Sequence, residues 1–317
     1  MQDTINYKSI LRALMAGLGR RILRLPMFPQ QEVKLVRTTA TKSSAVPKVV
    51  WIYWEDDQLP DLIMGFVNDI MVKHPEYEIN VLSRATLDQY LPDFFCHQDV
   101  PIANKTDLIR LDLLYRYGGI WLDATIILKE KLDWIYGLQF DSGFELTGFY
   151  RGTNTVDEVY PVIETWFLAS PPGSVFIKNW LAEFSAIRTL GSRAYFELLR
   201  KRDDYRVISA NIEPASYLLV YLACQIALRK TSNVSFYLRR AEDTAFYLQD
   251  YYKWNANVIT YALTRLDATK CGSKIIKLTS GDRKLLNGFI ECKLIRRKSF
   301  IGQLLTPGRG ANVLQHG

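Results

Sequence analysis

Long apolar runs are missing from this 317-residue chain. No window of about 18 residues is apolar enough to cross a bilayer. The nearest, Pro214 to Leu228, is short and carries Ser216 and Gln225, and it reads as a buried helix. Thiol and metal chemistry are equally thin. The four cysteines (Cys96, Cys224, Cys271, Cys292) show no C-x-x-C spacing, and the three histidines (His74, His97, His316) are too scattered for a zinc site. Cys96 and His97 are sequence neighbours, an arrangement that rarely makes a nucleophile–base couple. Free thiols suit a reducing compartment. Low-complexity tracts and fixed-period repeats are absent too. Apolar residues at 48% and charged residues at 23% exclude whole-chain disorder and collagen-like structure. A chain of this length buries about three quarters of its unfolded surface, in one large domain or two modest ones.

Net charge is missing from most of the chain. The total is +7, and residues 1–50 hold all of it: nine lysines and arginines against Asp3 and Glu32. The neutral body excludes nucleic-acid binding by charge. In the leader, Ile10, Leu14, Leu18 and Ile22 recur every four residues, with Leu11 and Met15 beside them. Lys8, Arg12, Arg20, Arg21 and Arg24 are interspersed. This pattern predicts a basic amphipathic helix ending near Pro26, suited to an anionic leaflet, or else packed on the body. It is no signal peptide, because Arg12 breaks the apolar stretch and no small-residue cleavage site follows. Prolines 26, 29 and 47 and the Thr38–Ser44 run predict a linker up to residue 46.

Aromatic residues are plentiful at 13%. Val49–Trp54, bounded by Pro47 and by Glu55-Asp56-Asp57, reads as a buried strand. Pro60 opens a helix that His74-Pro75 stops, and Glu78–Leu82 follows as a second strand. Strand–helix–strand begins a parallel α/β sheet. Residues 105–117 predict a strong helix with Asn104 as its cap, ended by Gly118-Gly119. Ile120–Leu128 then reads as one apolar strand, interrupted by Asp123. The remainder reads as mostly helical (about 174–200, 214–230 and 241–254), with a strand-like piece at Lys274–Thr279.

An ionised aspartate inside an apolar strand costs several kcal/mol without a partner. Asp123 therefore belongs at a strand end, facing a ligand, a cation or a metal, or paired with a nearby arginine. Asp107 and Arg110, spaced i, i+3, share the face of the helix that feeds this strand. Carboxylates accept from sugar and ribose hydroxyls, and arginine forks onto hydroxyls or phosphate. A local ion pair is the alternative.

Here the residues resemble a family. Thr106-Asp107-Leu108-Ile109-Arg110, then Gly118-Gly119-Ile120-Trp121-Leu122-Asp123, resembles the Asp-x-x-Arg helix and Gly-Gly-aromatic-x-Asp run of the glycosyltransferases of family 32. The related bacterial capsular polysaccharide synthesis proteins and the catalytic core of the large clostridial glucosylating toxins share this pattern. VPKVVWIYWE is similar to the family's first strand. Phe167–Ser170 and Lys277–Thr279 are weaker echoes. The likeness covers about residues 47–128 firmly and 160–280 loosely.

The resemblance implies an α/β fold of GT-A type: a Rossmann-like nucleotide-sugar-binding sheet with helices on both faces, plus a helical C-terminal half and the N-terminal amphipathic helix. Residues 1–46 would be leader and linker, and 47–317 the GT-A glycosyltransferase domain. Within it, 47–130 would be the nucleotide-sugar-binding half and 131–317 the acceptor-side, helical half. Trp51 would stack on uracil and the Ile52 backbone would read its edge, although Trp51 also suits a plain core. Asp107 and Arg110 would hold donor-sugar hydroxyls, and Asp123 would be the first acid of an Asp-x-Asp motif. Thr125 stands where the family has its second, metal-binding acid. A divalent cation (Mn2+ or Mg2+) would then rest on Asp123, diphosphate oxygens and water, or lysines would replace it. Lys274 and Lys277 are candidates for the diphosphate, against a solvated basic face. Glu164 and Asn154 are candidate sugar or acceptor contacts. The implied activity is retaining transfer from a nucleotide-sugar, most often a UDP-sugar, to a bacterial surface polysaccharide or lipid-linked oligosaccharide. Its expected place is the cytoplasmic face of the plasma membrane. Thr125 also suits a non-catalytic nucleotide- or carbohydrate-binding member of an assembly complex, and the toxin likeness suits transfer to a host protein.

Overall fold

The computed structural model describes residues 6–18, 25, 32–38, 44–283 and 285–306, with backbone alone for 139–142. Its strands are β1 (Lys34–Arg37), β2 (Val49–Tyr53), β3 (Glu78–Leu82), β4 (Gly119–Leu122), β5 (Ile126–Leu128), β6 (Leu146–Tyr150), β7 (Ile163–Ser170), β8 (Phe236–Arg240) and β9 (Ile275–Lys277). The helices are α1 (Tyr7–Leu18), α2 (Asp61–Lys73), α3 (Ile102–Tyr117), α4 (Trp134–Ser142), α5 (Val175–Ser185), α6 (Ile187–Arg200) and α7 (Tyr205–Ile208). After them come α8 (Leu219–Lys230), α9 (Tyr247–Tyr251), α10 (Ala256–Arg265), α11 (Ser280–Arg283), α12 (Leu286–Glu291) and α13 (Phe300–Leu304).

Seven strands form one mixed sheet in the order β1-β8-β6-β7-β4-β2-β3, and β5 pairs with β9 in a small second sheet. β2 runs parallel to both β3 and β4, as the strand–helix–strand reading requires. The unbroken apolar run of β2 follows from burial on both faces. Val50 and Ile52 enter a core with α2 and α10, whereas Trp51 and Tyr53 enter another with α3, α5 and α8. Trp51 lies directly opposite Trp121 of β4. This is the α/β architecture expected, with helices on both faces of the sheet.

Gly118-Gly119 does more than end α3. Gly118 has φ +65° and Gly119 φ +96°, conformations that disfavour a side chain. A Cβ on Gly118 would lie 2.5 Å from the Pro172 nitrogen, and one on Gly119 would lie 2.6 Å from the Val49 carbonyl oxygen. The turn therefore lets β4 slide in beside β2. Gly118→Ala is expected to cost about 2 kcal/mol or more, seen as a lower midpoint in thermal unfolding. Gly137→Ala in α4, where a Cβ meets nothing within 4 Å, is the control and should change little.

Several local expectations need correction. Ile120–Leu128 is two strands in two sheets, not one. The chain leaves the large sheet at Asp123, whose N–H donates to the Trp166 carbonyl (2.9 Å), and Thr125 accepts from the Leu278 N–H (3.0 Å). The region read as mostly helical also supplies β6, β7 and β8, and β7 is central, pairing with both β4 and β6. Every residue of β7 is buried, so Ile163–Ser170 shows no alternation to read. Within the expected linker, β1 pairs antiparallel with β8. The helix expected over 174–200 is divided near Ala186 and kinks at Gly191 (φ 77°, ψ 169°), and that over 241–254 shrinks to α9. Asn104 does not cap α3, which starts after Pro101. It sits inside the helix and donates to the Tyr217 carbonyl (3.3 Å). Arg20, Arg21, Ile22 and Arg24 of the expected leader helix lie outside the described residues.

Candidate active site

The parallel strands β2 and β4 end at one edge, where an α/β sheet offers its ligand crevice. A cleft of about 580 Å3 opens there, within the usual range for ligand pockets. The carboxyl end of β2 contributes Tyr53, Trp54 and Glu55, and α3 contributes Asp107 and Arg110. The turn after β4 adds Asp123 and Thr125, α8 adds Tyr221, and β9 with the turn behind it adds Lys277, Thr279 and Arg283.

Charge is arranged as an alternating chain. The Arg110 guanidinium donates to Asp107 one helical turn earlier, and its Nη2 donates to Asp123 Oδ1 (2.8 Å). The Trp121 indole N–H donates to the same oxygen (3.0 Å). Lys277 Nζ donates to the other oxygen, Oδ2 (2.8 Å), and also to the Thr125 hydroxyl (2.9 Å). Arg110 is packed over the Trp121 ring, 4.8 Å from its centre. Asp123 is therefore joined to a guanidinium, as the alternative reading foresaw, yet its side chain lines the cleft and keeps 25% of its surface exposed.

Burial alone pushes the Asp123 carboxyl up, but Lys277 and Arg110 outweigh burial and hold it well below the usual carboxylate range. Asp107 behaves oppositely. Burial dominates, and the Asp123 charge adds to it, raising Asp107 to about 6 despite Arg110. Two carboxylates on one cleft thus have separated protonation behaviour, a pattern frequent at functional sites. Burial lowers Arg283, whose Nε finds no partner among the described residues. That guanidinium lies 6.0 Å from the centre of the Trp54 ring. The Trp54 indole N–H is also buried without a partner among the described residues. An unpaired guanidinium N–H and an unpaired indole N–H on one cleft wall are donors awaiting a polar ligand.

The donor set does not suit a divalent cation. Asp123 already accepts from Arg110 and Trp121 on one oxygen and from Lys277 on the other. Thr125 replaces a second carboxylate, and an ammonium occupies the space between them. Among the described residues, no cluster of three or more His, Cys, Asp or Glu side chains is placed to hold a metal. The alternative in which lysine takes the cation's role is the one these contacts favour.

Other sequence candidates divide. Asp107, Arg110, Asp123, Thr125 and Lys277 come together on the cleft. Trp51 and Ile52 do not reach it. Trp51 is 2% exposed, its indole N–H donates to the Gly118 carbonyl (2.8 Å), and Tyr90 packs edge-on against it. Ile52 is fully buried in the ladder opposite Val81. Both lie too early in β2, which reaches the cleft only from Tyr53 onward. The strand-end rule that placed Asp123 would have selected Trp54 instead. Lys274 points away, toward Glu130 (3.9 Å), because residues three apart on a strand project from opposite faces. Glu164 lies behind the wall, accepting from the Tyr221 hydroxyl (2.8 Å), and Asn154 is elsewhere, donating to the Asn211 carbonyl. Arg283 carried no local signal. It reaches the cleft because Asp282, buried and bonded to Thr279 and Gln249, fixes the turn.

Residues 27–205, more than half of the chain, match the family model for capsular polysaccharide synthesis proteins. The chain belongs to the capsular polysaccharide synthesis protein family. Curated proteins similar to part of the chain include fungal glycosyltransferases. O-glycosyltransferase braB of Annulohypoxylon truncatum is 28% identical over 163 residues, covering 44% of this chain and 37% of that protein. Inositol phosphoceramide mannosyltransferase 3 of Schizosaccharomyces pombe (strain 972 / ATCC 24843) is 27% identical over 100 residues, 30% of this chain and 28% of that protein. The chain thus matches less than two fifths of the length of these curated relatives. The solved PaToxG Glycosyltransferase overlays 90% of both chains at 12% identity with a TM-score of 0.33, too loosely to align side chains. Within this family member, the Asp-Ala-Thr turn and Lys277 form the centre of the cleft.

Proposed function

We propose that this capsular polysaccharide synthesis family member is a glycosyltransferase that takes a sugar from a nucleotide-sugar donor, a UDP-sugar by family resemblance. The observation that carries the reading is the Arg110–Asp123–Lys277 chain of charge, set at the carboxyl end of β4 inside a ligand-sized cleft. Trp54, with Tyr53 beside it, offers the aromatic face for the base in place of Trp51. The relatives' names, an O-glycosyltransferase and a mannosyltransferase acting on inositol phosphoceramide, agree with sugar transfer to a hydroxyl. The second name, together with the family's description, favours a glycan acceptor carried on a lipid.

Breaking the glycosyl–phosphate bond leaves positive charge on the sugar ring and negative charge on the departing diphosphate. Prearranged opposite charges stabilise both. Asp107 and Asp123 face the sugar. Lys277 and Arg283 face the diphosphate, the first with an ammonium of three protons, of which Asp123 and Thr125 engage two. Retention of anomeric configuration needs no dedicated base, since the leaving phosphate oxygen accepts the acceptor's proton. Among the described residues lining the cleft there is no histidine, which suits such a route.

The test is a screen of nucleotide-sugars by thermal shift and by nucleotide release, with and without chelator. A UDP-sugar that raises the midpoint and is slowly hydrolysed supports the reading. If no nucleotide-sugar shifts or reacts, and Asp123→Asn behaves like the parent, the reading fails. Tight nucleotide binding with no turnover on any acceptor would instead favour the non-catalytic role that Thr125 suggests.

The high Asp107 pKa sets a pH signature. An ordinary aspartate titrates near 3.8, and Asp107 near 6. Between these values the folded protein binds the extra proton, so this group's contribution to stability falls as pH rises through that window. Above about pH 6 Asp107 is ionised and able to accept from sugar hydroxyls. Donor affinity is therefore expected to rise between pH 5 and 7, with its midpoint near 6. Asp107→Asn should remove that step, which calorimetric titrations across the pH range would show.

A further inference from the structure

The first helix has two apolar faces, and among the described residues only one of them packs on the fold. Ile10 and Ala13 are buried against Phe289 of α12, and Gly17 meets the Tyr261 ring of α10 so closely that a Cβ would overlap it. The opposite stripe, Tyr7, Leu11, Met15 and Leu18, is 60–67% exposed at each position. These four are spaced four, four and three residues apart, which keeps them on one side of the helix. Four large apolar side chains in a row on a surface helix exceed the scattered exposure that needs no explanation.

What surrounds the stripe is positive. Lys8 and Arg12 are exposed on the same helix, and the leader carries no acid from residue 4 to residue 31. The segment that packs beside Ile10 and Leu14, Cys292–Ile295, contains the exposed Lys293 and is followed by the exposed Arg296 and Arg297. Next to it is a groove of about 550 Å3 with Ile290, Ile295 and Leu305 on its walls and Lys293 and Arg297 among its lining. Ile295 belongs both to the groove and to the cluster under α1, so the two features adjoin. Exposed apolar side chains among cations, beside an apolar groove with two cations, match an interface of acyl chains beneath anionic headgroups.

We propose that α1 and the Lys293–Arg297 segment form a docking surface for an anionic lipid bilayer. The helix lies flat, with Leu11 and Met15 in the acyl boundary and the cations at headgroup level. Its inner face keeps its packing on α10 and α12, so docking needs no unfolding. This inference does not depend on the sugar-transfer reading. It is tested without any donor.

The experiment sediments the full chain with vesicles of phosphatidylcholine alone, or with about one third phosphatidylglycerol, at low and high salt. Partition onto anionic vesicles is expected to exceed that onto neutral ones by about tenfold or more, and to fall as salt screens the cations. Leu11→Asp with Met15→Asp, and separately Lys293→Glu with Arg297→Glu, should each reduce anionic partition about tenfold at an unchanged thermal midpoint. Equal partition onto both vesicle types, or unchanged partition of both variants, overturns the proposal. So does a dimer in light scattering that Leu11→Asp with Met15→Asp converts to monomer, because the stripe is then a contact between two copies of the chain.

Discussion

Lys277→Met is expected to lower turnover by about 100- to 1000-fold, the usual effect of removing one prearranged charge donor, and added Mn2+ should not restore it. Methionine keeps most of the length of the side chain while removing its charge and its donor protons. In the parent, that ammonium fills the position between the Asp123 carboxylate and the Thr125 hydroxyl. A chelator should therefore leave the parent's nucleotide affinity and turnover unchanged. The informative companion is Thr125→Asp combined with Lys277→Ala, which exchanges the cation for a second acid. That variant is expected to bind nucleotide only when Mn2+ is present. A parent whose nucleotide binding is abolished by chelator, with Lys277→Met unaffected, would overturn the assignment of Lys277. Nucleotide affinity by calorimetry separates this from a simple loss of fold.

Asp123→Asn should have an effect of similar size on turnover, about 1000-fold, and a structural effect as well. Asparagine keeps the shape but can neither match the charge of Arg110 and Lys277 nor accept from both with full strength. Removing one partner of a buried ion pair is costly because the other charge stays behind. Arg110 is almost wholly buried, and after the change only Asp107 remains to balance it. A loss of about 2 kcal/mol in stability is expected, less than the largest buried-pair losses because Asp123 is one quarter exposed. Thermal unfolding and donor hydrolysis, measured on the same preparation, separate the two effects. Lys277→Met should destabilise less, since Asp123 keeps Arg110 and Trp121.

What the amino-acid order made legible is local. The first strand, its helix and the next strand were readable because apolar runs and prolines mark them. Asp107, Arg110 and Asp123 were readable because a charge at an apolar position has few structural excuses. The rest depended on distance in sequence or on strand parity. Lys277 meets Asp123 across 154 residues, and nothing in either neighbourhood names the other. Parity decides between Lys274 and Lys277, which differ by an odd step and face opposite ways. It does not separate Trp51 from Tyr53, and there the place along β2 decides: the cleft begins where the strand ends. β7 escaped because a strand buried on both faces loses the alternation by which strands are recognised. β8 escaped because it ends in Arg239 and Arg240, which look solvent-facing until their partners are known. Arg239 is in fact buried, ion-paired with Glu32 and Glu130.

The pairing of β5 with β9 has a consequence for when the cleft becomes competent. Ile126, one residue beyond Thr125, lies directly opposite Lys277 in that two-stranded ladder. The Asp107–Arg110–Asp123 part of the centre and its remaining cation, Lys277, are thus synthesised far apart and joined by a late strand. While a ribosome is still making residues before Ile275, the nascent polypeptide has its acids but neither Lys277 nor Arg283. Such a chain lacks two of the cations that line its cleft until the tail folds back.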